Sequence, residues 1–127
     1  MKNQWLEQFF LNVSIYDGKK SVIDEKGVSY SYREHEQLSG KVYAYLKDKG
    51  FGPEQFIGIR LPRSSEAIIC QTGILRNGSA FVALETDTIP DERIDFIIKD
   101  CGCAFVIGEK EWEEIKDYRI QEGYNEV

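Results

Sequence analysis

An α/β fold, a parallel sheet with flanking helices, is what this sequence predicts, and three observations predict it. Residues 56–61, 80–84 and 103–107 are nearly continuous apolar runs, the pattern of strands covered on both faces. Between them lie amphipathic stretches of roughly 12 residues, the spacing of βαβ crossovers. Each stretch opens on capping residues and closes on a glycine, Gly78 or Gly102.

The elements follow in chain order. Trp5, Leu6, Phe9 and Phe10 fall at helical spacing and predict a first short helix. Val22-Ile23 and Val28-Ser29-Tyr30 predict a short N-terminal pair of strands, with Asp24-Glu25-Lys26-Gly27 as the turn. Ser31-Tyr32-Arg33-Glu34 reads as a capping box, in which the serine oxygen accepts from the third amide and the glutamate reaches back to the serine N–H. Leu38, Val42, Tyr45 and Leu46 then form one apolar stripe, and Gly50 is placed to end that helix.

After the strand at 56–61, Ser64 or Ser65 caps a helix carrying Ala67, Ile68, Ile69, Ile74 and Leu75. After the strand at 80–84, Thr88 and Pro90 start the next helix, with Asp91 and Glu92 favoured in its first turn by the helix dipole. Its face is Ile94, Ile97, Ile98 and Cys101. Past Gly108 the signal weakens: Trp112 and Ile115 fit one short helical face, and Tyr118 onward reads as loop. The expected organisation is an α/β subdomain at 1–108 followed by an acidic, weakly structured segment at 109–127.

Composition narrows the function classes. The chain has 127 residues, enough to bury a core, with 42% hydrophobic and 30% charged residues. No apolar run approaches the ~20 residues of a membrane span, and the N-terminus lacks the apolar core of a signal peptide. A cytoplasmic location is the expectation, without membrane contact. Net charge is −6, and residues 109–126 hold seven acidic against three basic side chains, which argues against a nucleic-acid groove. Three cysteines (Cys70, Cys101, Cys103) and no secretory signal argue for reduced thiols. Cys101 and Cys103 form a C-x-C, and a single histidine leaves a zinc site short of ligands.

Several residues invite a chemical reading. Gly50-Phe51-Gly52 precedes a strand instead of opening a helix, so it reads as a turn and not as a phosphate loop. Arg63-Ser64-Ser65, at a helix start, fits an anion site, although capping accounts for the serines equally well. His35 reads as a packing residue, with no serine or cysteine paired to it as a base would require. Asp87, Asp91, Glu92 and Asp95 cluster without calcium-loop spacing and read as dipole complementation. The aromatic residues lack interleaved cations and read as packing, not as base-stacking platforms.

Tyr30-Ser31-Tyr32-Arg33-Glu34-His35 resembles an early motif of adenylate-forming enzymes, aromatic- or Leu-Thr-Tyr-x-Glu-Leu, departing from it at His35. Residues 75–85, Leu-Arg-Asn-Gly-Ser-Ala-Phe-Val-Ala-Leu-Glu, resemble the same family's Leu-Lys-Ala-Gly-x-Ala-Tyr-Val-Pro-Leu-Asp, with Ala83 for the proline and Glu85 for the aspartate. The family's following Tyr-Pro-x-x-Arg resembles Ile89-Pro90-Asp91-Glu92-Arg93, and Leu61-Pro62-Arg63-Ser64 looks like its strand-to-helix junction. The likeness covers residues 20–108. It implies the N-terminal subdomain of an ATP-dependent ligase, most similar to the amino-acid adenylation domains of nonribosomal peptide synthetases.

Such an enzyme converts a carboxylate and ATP, with magnesium, to acyl-AMP and pyrophosphate. It then passes the acyl group to a thiol, that of coenzyme A or of a carrier protein's phosphopantetheine. The family's phosphate loop, rich in Thr, Ser and Gly and ending in Pro-Lys-Gly, does not occur in this sequence. Nor do the acidic residue that holds the ribose or the C-terminal lysine. The resemblance therefore implies no catalytic, cofactor-binding or metal residue in residues 1–127, and a chain inactive by itself. Its expected partners are the remainder of the ligase and the carrier or coenzyme. The alternative from another class is a freestanding truncated paralogue acting as a protein-interaction module. Under either reading, exposed apolar surface would favour a homodimer.

Overall fold

The computed structural model describes residues 3–120. Its elements are α1 (Gln4–Tyr16), β1 (Lys20–Ile23), β2 (Ser29–Ser31), α2 (Tyr32–Asp48), β3 (Phe56–Ile59), α3 (Ser65–Arg76), β4 (Ala80–Ala83), α4 (Asp91–Cys101), β5 (Phe105–Ile107) and α5 (Glu109–Lys116). β1 and β2 form an antiparallel pair, while β4, β3 and β5 form a parallel sheet in that order. The chain thus leaves the central strand β3 to one side through α3, then crosses to the other side through α4. Right-handed crossovers in opposite directions put α3 and α4 on opposite faces.

Strand alternation assigns the two faces. Ile57, Ile59 and Ile107 point into a core built with Leu46 of α2, Ile69 and Ile74 of α3, and Trp112 and Ile115 of α5. Gly58 looks the other way, where an added Cβ would lie 2.9 Å from Leu84 and 3.3 Å from Val106. Arg60, two residues further along, reaches Asp95 at 3.0 Å and Asp91 at 3.5 Å on α4.

Local chemistry sets the helix ends. The capping box at α2 is formed: Glu34 N–H donates to Ser31 Oγ at 3.1 Å, and Ser31 N–H donates to Glu34 Oε1 at 2.8 Å. α2 closes through a pair of bonds, Gly50 N–H to Lys47 O and Phe51 N–H to Leu46 O, that requires the left-handed φ of +90° at Gly50. α3 and α4 end with the same pair of bonds. The predicted start of α4 needs correction. Thr88 donates to Glu85 within the preceding turn, and Pro90 occupies the cap without a side-chain bond, so the helix begins at Asp91.

Of the segment expected to be weakly structured, residues 109–116 form α5. Tyr45 O–H donates to Glu114 at 2.7 Å and Lys41 donates to the Lys116 carbonyl at 2.7 Å, which ties α5 to α2. Residues 121–127 lie outside the described residues. In α1 only Phe9 is fully buried; Trp5 stacks on it at 5.7 Å and stays half exposed.

Arg76 joins three helices. Its side chain is 2% exposed, donates from Nη1 to Glu36 O and Ser39 Oγ at 2.7 Å each, and lies 4.9 Å from the Phe10 ring. The planar guanidinium fork suits that combination of bonds and stacking; a lysine ammonium would not reproduce it.

Candidate functional site at the carboxyl ends of the strands

Open α/β sheets bind ligands outside the carboxyl ends of their strands. There a groove of 170 Å³ runs between the α3 N-terminus and the end of β4, lined by Leu61, Ser64, Ala67, Ile68, Ala83 and Leu84. Its floor is apolar, and the polar groups sit at its rim. Of the anion-site candidate, Arg63 and Ser64 line this groove, while Ser65 is buried beside it.

The sequence builds the junction from its residue types. Ser64 is extended and caps α3, accepting from Ala67 N–H at 3.1 Å while donating to the Pro62 carbonyl at 2.9 Å. Ser65 N–H donates to Asp24 Oδ2 at 3.2 Å, and Ser65 O–H donates to Val28 O at 2.8 Å. Asp24 Oδ1 accepts from Lys26 and Val28 N–H at 3.0 Å, folding the β1–β2 turn. On the other side, Asp87 accepts from Arg63 N–H at 3.1 Å and Nε–H at 3.2 Å.

The electrostatics agree with this geometry. The Ser65 N–H, above all, holds the Asp24 carboxyl below its ordinary range. The Arg63 backbone N–H does the same for Asp87. In turn, the bond to Asp87 raises Arg63. A helix N-terminus attracts anions, and here the Asp24 carboxylate fills that role at Ser65, the first residue of α3, while Asp87 holds Arg63 in the approach to the cap. The residues present do not fit a triphosphate: both serine hydroxyls, the Ser65 amide and the Arg63 amide and Nε already donate within the chain. Asp91 and Asp95 pair with Arg60, and among the described residues no group of three or more His, Cys, Asp or Glu is arranged to hold a metal ion.

His35 lies away from this groove. It is 2% exposed, beneath Phe9 at a ring distance of 4.5 Å. Nε2 meets Thr72 Oγ1 at 2.8 Å, and Nδ1 meets Ser21 Oγ at 2.8 Å. Thr72 O–H donates to the Ile68 carbonyl at 3.1 Å, so its oxygen accepts from His35 Nε2–H, and the Ser21 hydroxyl donates to Nδ1. The ring is thereby fixed as the neutral Nε2–H tautomer. Burial first, and the Arg76 cation second, press its pKa down to about 4. The expectation that no serine pairs with His35 needs correction, because the fold brings Ser21 to Nδ1 from 14 residues away. With both ring nitrogens bonded and the ring 2% exposed, His35 is nonetheless a packing residue.

Cys70 is buried and burial pushes its thiol up, while Cys103 is raised by burial and by Cys101. Neither of these two is an activated thiolate. Gly50-Phe51-Gly52 is the turn the sequence suggested. Its Phe51 and Gly52 carbonyls accept from Asn77 and Ser79. Asp24 and Asp87 were legible as a turn residue and as part of an acidic cluster. Their bonds to the Ser65 and Arg63 amides, from 41 and 24 residues away, carried no local signal.

A profile of the family described as AMP-binding enzyme matches residues 9–125. The chain belongs to the AMP-binding enzyme family. Among curated relatives, it is 37% identical over 79 residues to surfactin synthase subunit 1 of Bacillus subtilis (strain 168), covering 62% of this chain and 2% of that protein. It is 33% identical over 87 residues to gramicidin S synthase 2 of Brevibacillus brevis, covering 68% of this chain and 2% of that protein.

Among solved structures, the NpsA N-terminal subdomain of Klebsiella oxytoca, in complex with 3-hydroxyanthranilyl-AMSN, superposes with a TM-score of 0.78. It is 16% identical, and the match covers 95% of this chain and 33% of that one. The four-domain nonribosomal peptide synthetase holo-AB3403, bound to AMP and glycine, superposes with a TM-score of 0.74 at 21% identity, over 84% of this chain and 8% of that one. The α/β architecture with its short antiparallel pair is therefore that of the N-terminal subdomain of an adenylate-forming enzyme. The chain spans a third of the NpsA subdomain and 2% of each of these curated relatives.

Proposed function

We propose that this chain is the N-terminal part of an ATP-dependent ligase that activates an amino acid as its acyl-adenylate. The complete enzyme would release pyrophosphate and pass the acyl group to the phosphopantetheine thiol of a carrier protein. The observation that carries this reading is the family match across residues 9–125 together with a fold match that spans only a third of the neighbouring subdomain. An artificially fused adenylation–PCP di-domain among the structural neighbours is in keeping with that choice of acceptor. ATP and magnesium would be held by residues outside this chain, because Asp24 already accepts from the first amide of α3 and Asp87 from Arg63 beside it.

In this role residues 1–127 supply a scaffold. Ile23, Val28, Ile68, Phe81 and Phe96 are exposed apolar side chains that suit contact with further parts of a ligase. No described helix is long and apolar enough to cross a membrane. The test is the reading frame at the source locus beyond the codon for Val127. Continuation into a Thr/Ser/Gly-rich loop ending in Pro-Lys-Gly is expected. A stop codon there would refute the ligase reading and favour a freestanding interaction module.

A further inference from the structure

Asn77 stands where the family motif has alanine, and Gly78 follows it. Of the four asparagines in the sequence, it is the one followed by glycine. Without a side chain on the next residue, a backbone nitrogen can approach the asparagine side chain freely. The chemistry is intramolecular. The Gly78 nitrogen attacks Cγ of Asn77, ammonia leaves with the side-chain nitrogen and a succinimide forms. Water then opens the ring to aspartate or isoaspartate, so the atoms balance with water as the co-reactant.

The fold blocks each requirement of that reaction. Asn77 is 8% exposed at the C-terminus of α3. Its Nδ2 hydrogens are both committed, to Phe51 O at 3.0 Å and to Ser79 Oγ at 3.1 Å. Ser79 accepts there because its own hydrogen goes to Gly52 O at 2.7 Å. The would-be nucleophile, Gly78 N–H, donates to Leu75 O at 2.9 Å. Backbone geometry adds a further bar. Ring closure needs Cβ and the Gly78 nitrogen eclipsed about the Cα–C bond, yet ψ of Asn77 is −3°, so its own nitrogen holds the eclipsed position.

The product would not fit back. An aspartate at position 77 puts a carboxylate oxygen where Nδ2 donated, facing the Phe51 carbonyl in a buried site. Ser79 could serve it only by abandoning the Gly52 carbonyl. A buried acceptor facing an acceptor loses both the bond and its hydration. Isoaspartate also inserts a methylene into the backbone between Asn77 and Gly78, where Gly78 at φ +78° sets the turn that ends α3.

We propose that Asn77-Gly78 is a modification site that the native fold protects, and that deamidates when the chain unfolds, converting reversible unfolding into a covalent and irreversible loss. The inference rests on the fold alone and stands whether or not the ligase reading does.

The test incubates the full chain at pH 7.4 and 37 °C, in buffer and in urea, and follows residues 71–84 by peptide mapping. Conversion at Asn77 over days in urea, at least tenfold slower in buffer, is the expected result. Chains recovered from urea should lose refolding yield in step with the converted fraction. Asn77→Ala, which carries the family's residue, should refold fully after the same treatment. Equal conversion rates in buffer and urea would overturn the proposal. So would converted chains that refold with the midpoint of untreated protein.

Discussion

Replacing Gly73 with alanine is expected to destabilise the chain by at least about 2 kcal/mol, the scale of a core overpacked by one methyl group. α3 crosses α2 at this point. A Cβ at residue 73 would lie 2.3 Å from Val42 Cβ, 2.5 Å from Val42 Cγ1 and 2.8 Å from the Ser39 carbonyl oxygen. Two of those atoms are Cβ and backbone, so a rotamer change cannot relieve the clash and the helices must separate. Separation would loosen Ile69, Ile74, Val42 and Leu46, all fully buried.

Alanine is the better helix former by about 1 kcal/mol, which works against the loss and makes the sign informative. Urea denaturation of Gly73→Ala is read beside Gly18→Ala, a turn position where an added Cβ meets nothing within 4 Å, which reports the effect of a glycine-to-alanine change without a clash. A Gly73→Ala variant as stable as the parent would mean that α2 and α3 are not in this close contact.

The second large effect is on pH dependence. His35 is neutral in the folded chain with a pKa of about 4, whereas in the unfolded chain it returns to about 6.5. The unfolded state therefore binds the extra proton first as pH falls. Stability is complete above pH 6.5 and is lost as pH drops toward 4. The loss from His35 alone between pH 7.5 and 5 is about 2 kcal/mol, from the linkage relation.

Facing groups do not offset it. The hydroxyls of Ser21 and Thr72 and the Phe9 ring are neutral, and Arg76 is a cation that adds to the repulsion. Asp17, Asp24 and Asp87 have lowered values, so their losses begin as pH enters the ordinary carboxylate range and continue below it, which leaves the interval from pH 7.5 to 5 to His35. Urea midpoints at the two pH values should differ strongly in the parent and little in His35→Leu. A parent without that difference would place His35 in contact with water.

Most of the framework was legible because it depends on short-range chemistry. Ser31 and Glu34 are three residues apart, and the sequence alone announces their box. The apolar runs became β3, β4 and β5 in shorter form, since Arg60 and Leu61 extend past the ladder that pairs Ile59 with Ala83 and Ile107. What remained hidden depends on residues distant in sequence. Gly73 reads as an ordinary helix glycine until Val42 and Ser39 are placed beside it. His35 gains its partners 14 and 37 residues away.

The candidate site shows the same division. Arg63-Ser64-Ser65 was legible as a helix start but not as an occupied one, because Asp24 and Asp87 arrive through tertiary structure. Trp112 and Ile115 marked a possible helical face. Their burial needed α2, whose Lys41 and Tyr45 hold α5 in place.

The central claim is that residues 1–127 are a scaffold of an amino-acid-activating ligase and carry none of its chemistry. It is tested most directly by ATP–pyrophosphate exchange over a panel of amino acids, run on purified residues 1–127 and on the product of the longer reading frame. The account predicts exchange stimulated by one amino acid or a few related ones with the longer protein, and none above background with residues 1–127. Amino-acid-dependent exchange by residues 1–127 alone would contradict it.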